Sequence, residues 1–442
     1  MVERAPSTLN FRLEGKLLQL LQEEEVISLL NKINEEYYYW HVVKRLDYPA
    51  GVSAADIWGV VKLRRRITPN RIKFGDYTFH WNINNQIQEF LHVLDMNIGG
   101  SLESPYKIPA EDKSRYLISS IMEEAIASSQ IEGAVTTRKK AKELLRQNKR
   151  PSNRSEQMIV NNYTTIQRIL EIKSEPLNAK NLLEIHKLIT NDTLTNANEE
   201  GAHRKGDDID VIDFATGQVV HHPPDPADVD ALLNALFSFF NDEDTRIFIH
   251  PLIKASIIHF MVGFIHPFAD GNGRTARALF YWYLLKRGYW LTEYLSISRL
   301  ILKAKGQYAR AFQYTEVDEH DLTYFVLFNL RVMKLAFDEL RAYIQRKNEE
   351  KKELSNFMGI DGISYRQAII LEWFYKEPAL LLTVKETQTR LGVSNGSARS
   401  DLNSLAEKGY VQAKSMNKVT SAYIKGDRYD ELTELLKQEN KR

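Results

Sequence analysis

Cysteine is absent from all 442 residues. That excludes disulfide bonds, thiol catalysis and zinc–thiolate sites, and it fits a reducing compartment. Long apolar runs are missing too. None approaches the roughly 20 residues that span a bilayer, and the opening MVERAPSTLNFRLEG has no apolar signal core. The chain therefore reads as cytoplasmic, with no membrane partner. Excess charge is also lacking: 59 Lys and Arg offset 58 Asp and Glu, a net +1. A generally polyanion-coated surface is excluded, while a local basic patch is not. No internal repeat at a solenoid period occurs. What remains is an ordinary globular composition in a chain longer than one hydrophobic core usually serves, so two or three domains are expected.

Residues 1–110 form a mixed segment. An amphipathic opening helix (Leu17, Leu18, Leu21) precedes the aromatic stretch Tyr37 to Trp40, and a hairpin is expected over Ile72 to Phe79. A helix follows with Phe90, Leu91 and Leu94 at helical spacing, and Gly99-Gly100-Ser101 marks a boundary. Residues 111–340 have helical periodicity nearly throughout. The exception is a pair of β-branched runs, Asp210 to Phe214 and Val219 to His222, around a turn containing Gly217, which reads as a hairpin. Residues 341–362 are expected to be a charged linker helix, Arg346 to Glu353 being almost wholly charged. In residues 363–430 the order is helix (Val384 to Leu391), turn (Gly392-Val393-Ser394), helix (Asn395 to Lys408) and alternating strands up to Ile424. That is the order of a winged helix-turn-helix.

The most informative segment is Ile265-His266-Pro267-Phe268-Ala269-Asp270-Gly271-Asn272-Gly273-Arg274-Thr275-Ala276-Arg277, between two helical runs. Gly271 and Gly273 permit torsions that turn successive N–H groups inward, and a helix begins where they converge; such a nest binds anions. Arg274 and Arg277 share one face of its first turns, and two guanidiniums beside an amide nest suit a polyphosphate. Asp270 supplies a carboxylate for Mg²⁺ on bridging phosphate oxygens. His266 is the nearby group able to accept a proton near neutral pH. Gly271-x-Gly273-x-x-Ala276 superficially fits a dinucleotide fingerprint, but that motif leaves a strand and this one leaves a helix. No P-loop sequence occurs. A plain helix–loop–helix turn would not collect a base, a metal ligand, two glycines and two arginines.

His266 through Arg277 resembles, without a departure, the HPFx[D/E]GN[G/K]RxxR signature of the Fic family, and His250-Pro251-Leu252 with His259 resembles its usual lead-in. The resemblance covers about residues 111 to 340. It implies a mainly α fold: a Fic helical core with a β-hairpin flap, beside the mixed α/β N-terminal domain and the C-terminal winged helix-turn-helix. It implies an adenylyltransferase moving AMP from Mg-ATP to a Tyr, Thr or Ser hydroxyl of a protein target, or of the chain itself, with release of pyrophosphate. His266 then resembles the base, Asp270 the metal anchor, and Gly271, Asn272 and Gly273 the anion hole. Arg274 resembles the α/β-phosphate ligand, Arg277 the γ-phosphate ligand, and Tyr308 a neighbour of the adenine, with a core tyrosine as its bland alternative. His259 reads as a hydrogen-bonded helix residue, and His221 and His222 as an exposed strand end rather than a zinc site.

Ser128-Ser129-Gln130-Ile131-Glu132-Gly133 resembles the family's inhibitory motif [S/T]xxxE[G/N]. Arg277 needs an anion when ATP is absent, and a helix-borne Glu132 carboxylate supplies one while denying Arg277 to the γ-phosphate. Gly133 as an ordinary helix cap is the plain alternative, and both readings are compatible. The flap's strand edge suits docking of an extended target segment. In the winged helix, Arg399, Lys408, Lys414, Lys418 and Lys425 outnumber Asp401 and Glu407, and Ser394, Asn395, Ser397, Ser400 and Asn403 can reach bases or phosphates, so DNA is one partner expected there and a protein adaptor role the other. The runner-up function is a DNA-binding regulator whose Fic core senses nucleotide, mainly modifies itself or removes AMP. A homo-oligomer, another nucleotide donor and the reaction's direction stay open.

Overall fold

The computed structural model describes residues 2–8, 22–99, 110–206, 209–212, 217–242, 247–415 and 421–432, with the backbone alone at 110–115 and 347–356. The expected opening helix (Leu17, Leu18, Leu21), Gly100 and Ser101 of the expected boundary, part of the flap turn and Lys418 lie outside the described residues. The fold is mainly α. It divides into two compact units, residues 1–340 and 341–442, within the long helix Thr323–Met358. Among the described residues no helix is long and apolar enough to cross a membrane.

At the heart of the larger unit lie two consecutive helices, Pro251–Ile265 and Asn272–Lys286. Thirteen residues of the first are buried, so its sequence is apolar on every face rather than along one stripe. Pro251 stands at the first helical position, where its missing N–H costs nothing, and the Leu252 amide donates to His250 Nδ1 at 3.3 Å. Helices Ala110–Ile131, Arg154–Ile172 and Ala179–Thr190 supply the surrounding wall. Asn153 and Asn178 cap the last two, each accepting at 3.0 Å from the amide three residues on.

The N-terminal residues pack into this same unit. The hairpin Asn70–Phe74 with Tyr77–Trp81 forms in the expected place, with Ile72 opposite Phe79. Its second strand meets the start of the long helix, where Leu322 N–H donates to His80 O at 2.8 Å. Buried ions reinforce the junction. Lys62 pairs with Asp318 at 2.8 Å, and Arg65 lies 3.7 Å over the Tyr37 ring while donating to the Tyr324 hydroxyl.

The expected flap is a short antiparallel pair, Val211–Ile212 with Val219–His221. His221 differs from expectation: it is buried, not an exposed strand end. Its strand packs on the end of the Pro251–Ile265 helix, so Nε2 meets Phe264 O at 2.8 Å and Nδ1 meets Glu316 at 2.9 Å. His222, on the opposite face, is exposed as expected and pairs with Asp210.

The smaller unit has its own core of Ile370, Leu371, Phe374, Leu402, Leu405 and Val411. Helices Val384–Leu391 and Asn395–Glu407 are joined across Gly392, whose φ is +66°. Strands Val411–Ser415 and Ser421–Lys425 form an antiparallel pair extended by Leu382–Thr383. Asp401 turns inward to pair with Arg366 at 2.7 Å, and the Tyr423 hydroxyl donates to Asn403.

Candidate active site

His266 closes the first central helix in the left-handed region, at φ 48° and ψ 56°. A non-glycine residue adopts that conformation at a cost of about 1–2 kcal/mol, offset here by its N–H bond to Val262 O at 3.1 Å. Its Nδ1 lies 3.3 Å from Gly263 O. A carbonyl oxygen only accepts, so Nδ1 carries the hydrogen and Nε2 presents its lone pair. Burial pushes the imidazole pKa down to about 4, the Gly263 carbonyl opposing. His266 is therefore neutral at pH 7, the form a general base requires.

The turn after His266 is tied down through its carbonyls. Arg204 donates from Nε to His266 O and from its backbone N–H to Pro267 O, each at 2.9 Å. Asn272 Nδ2 donates to Phe268 O at 2.8 Å, while its Oδ1 accepts from Phe268 N–H. His186 Nε2 reaches Asp270 O at 2.9 Å. With the carbonyls held outward, Gly271 turns the chain at φ +87° into the helix starting at Asn272. The first-turn amides of Asn272, Gly273 and Arg274 lack intrahelical acceptors, and the helix dipole adds partial positive charge. Asn272 thus contributes to the expected anion hole by its backbone; its side chain braces the turn.

Both expected phosphate ligands are buried beside this nest. Arg277 donates to Ser128 Oγ at 2.9 Å, to Ser128 O at 3.0 Å and to Glu132 Oε1 at 2.8 Å. Arg274 donates to Ile189 O at 2.9 Å and approaches Asp270 Oδ1 at 3.4 Å. Burial lowers the pKa of Arg274; at Arg277 burial is again the largest influence and acts downward, but the Glu132 charge and hydrogen bond, with Tyr308 and Glu124, together outweigh it and the pKa rises. Among the described residues Arg277 Nη1 and Arg274 Nε are buried donors without a hydrogen-bond partner. Unsatisfied buried donors are costly, and an anion in the nest would satisfy them. Glu132 reaches the nest itself: a Cβ built on Gly273 would lie 2.3 Å from Glu132 Oε1. Glu132 follows the last residue of the Ala110–Ile131 helix and Gly133 turns the chain there at φ +91°, so helix termination and ion pairing coexist.

Asp270 is partly exposed. Its Oδ1 accepts from Gly271 N–H at 2.5 Å, and its Oδ2 pairs with Arg154 at 3.1 Å. No group of three metal-ligating side chains occurs among the described residues. A single carboxylate beside a phosphate nest fits Mg²⁺, which binds through one or two carboxylates plus substrate phosphates. Tyr308 is engaged by the core: its hydroxyl meets His259 Nε2 at 2.8 Å and its ring sits among Phe312, Phe325 and Phe328. His259 is the hydrogen-bonded helix residue expected.

Sequence reading missed Arg204, His186 and Arg154. No motif marks them, and they reach the turn only through tertiary packing. Their signal was faint: a buried-type His within the apolar spacing of Ala179–Thr190, and an Arg just before the flap.

A helical unit whose central helix pair carries a histidine and an amide nest at its junction is the architecture of a Fic core. Residues 176–284 match the family model "Fic/DOC family", and this stretch is a Fic/DOC domain. The protein adenylyltransferase Fic of Aedes aegypti is 33% identical over 120 residues, 26% of this chain and 21% of that protein. Its namesake from Nematostella vectensis is 33% identical over 118 residues, 26% of this chain and 25% of that one. The chain thus spans a quarter or less of the length of these curated relatives. Among solved structures, a Fic family protein from Desulfovibrio desulfuricans aligns over 78% of this chain and 97% of that one, with a TM-score of 0.53 and 23% identity, which speaks to the fold.

Proposed function

We propose that the chain is a protein adenylyltransferase restrained by its own Glu132. A hydroxyl of a protein target attacks the α-phosphorus of ATP. The new O–P bond forms, the bond from the α-phosphorus to the α/β-bridging oxygen breaks, and pyrophosphate leaves. The hydroxyl proton passes to Nε2 of His266. Asp270 would hold Mg²⁺, which offsets phosphate charge when bound. The amides of residues 272–274 and Arg274 orient the inner phosphates, and Arg277 takes the γ-phosphate once Glu132 withdraws. The flap edge is the docking place for the target segment, and Tyr308 borders the base pocket.

One observation carries this reading: a neutral imidazole with a free Nε2 adjoins an amide nest whose two buried guanidiniums keep unsatisfied donors. The restraint rests on the Glu132–Arg277 pair, whose carboxylate abuts Gly273. ATP labelled at the α-phosphate should leave label on protein, whereas γ-labelled ATP should leave none. Label retained from the γ-position would indicate phosphoryl transfer and overturn the reading.

A further inference from the structure

We infer that His186, outside the recognised motif, is a positioning residue for ATP that sets the anion nest by holding the Asp270 carbonyl. This rests on the proposed ATP-binding reading. Peptide geometry links the two ends: the carbonyl of Asp270 and the N–H of Gly271 point in opposite directions from one plane. Fixing the carbonyl therefore fixes the Gly271 N–H, which donates to the Asp270 side chain at 2.5 Å, and with it the turn that leads into the nest amides of residues 272–274.

The hydrogen bonds determine the ring's state. Gly201 N–H donates to Nδ1 at 3.1 Å, so Nδ1 must accept. Asp270 O can only accept, so Nε2 carries the hydrogen and donates at 2.9 Å. His186 is fully buried, and its ring lies parallel to Phe268 at 3.6 Å between centroids. Its own helix is joined to the site a second time, through Ile189 O to Arg274. Gly271 leaves no slack, because a Cβ there would lie 2.9 Å from Thr190 Cγ2 and 3.3 Å from His186 Nε2.

Two substitutions separate the two bonds. In His186→Gln the amide reaches the Nε2 position and can still donate to Asp270 O. In His186→Asn it reaches only the Nδ1 position and can still accept from Gly201. Both are made in full-length protein carrying Glu132→Gly, and Mg-ATP affinity is measured by calorimetry alongside the thermal midpoint. The parent should bind Mg-ATP, the Gln variant should stay within about threefold of it, and the Asn variant should lose about tenfold, roughly 1.4 kcal/mol. Equal affinities in a binding parent, or a tenfold loss in a folded Gln variant, would overturn the role of His186 alone. A parent that binds no ATP would overturn this role and the ATP reading together. Should the Asn variant fail to fold, His186→Ala takes its place with the same expected loss.

Discussion

At His266 the proposed base is also buried, and the two properties act together. Burial removes solvation from the imidazolium, so the neutral ring persists to a pH far below its ordinary 6.5. His186 and His259 are depressed in the same direction, to about 4 and about 3, by burial first. The sign follows directly. The folded state binds fewer protons than the unfolded chain, so this contribution to stability is complete above about pH 6.5 and is lost as pH falls toward 4. AMP transfer per ATP should therefore be flat from pH 7.5 to about 5.5, and the urea midpoint should fall between pH 6.5 and 4. An activity limb centred at 6.5 with the midpoint unchanged would show an exposed, ordinary histidine. The candidacy of His266 as base was legible from its neighbours in sequence. Its depressed pKa was not, since burial comes from helices far along the chain.

The helix Ala110–Ile131 acts as one element with several anchors. Glu124 accepts from Ser298 N–H at 2.9 Å, Ser129 Oγ accepts from Asn162 at 2.7 Å, and Lys305 Nζ donates to Ile131 O. This clamping brings Ser128 and Glu132 to Arg277. Breaking a wholly buried ion pair costs about 3–5 kcal/mol; Glu132 is 30% exposed, which reduces the cost here. Glu132→Gly should thus lower the melting temperature without nucleotide by a few degrees and raise self-AMPylation about tenfold or more. Mg-ATP should stabilise this variant more than the wild type, because phosphate replaces the missing carboxylate. Identical nucleotide shifts in the two proteins would show that Glu132 does not compete with ATP. The Ser128-to-Gly133 motif could be read along the chain, as could both hairpins, because turn glycines and β-branched runs are local signals. The clamps were invisible there: Glu124 and Ser298 meet across 174 residues.

On the scale of the molecule, two compact units divide at residues 340/341. The N-terminal residues belong with the Fic domain's unit, held by Lys62–Asp318 and the His80–Leu322 strand contact. Composition suggested a separate mixed segment, since buried ion pairs look like ordinary surface charge in a sequence. In the smaller unit Asp401 faces inward to Arg366, which removes it from the charges offset against Arg399, Lys408, Lys414 and Lys425. If this face binds DNA rather than a protein, affinity should fall with a log–log salt slope of about −3 to −4, near −0.9 per phosphate contact. A flat salt response would favour a protein partner.

The most direct measurement is the intact mass of purified Glu132→Gly protein after incubation with Mg-ATP, beside the same protein also carrying His266→Ala. A nucleotide nest served by a neutral base predicts the added mass of AMP on the first and none on the second. Equal modification of both, or of neither while ATP binds, would contradict it.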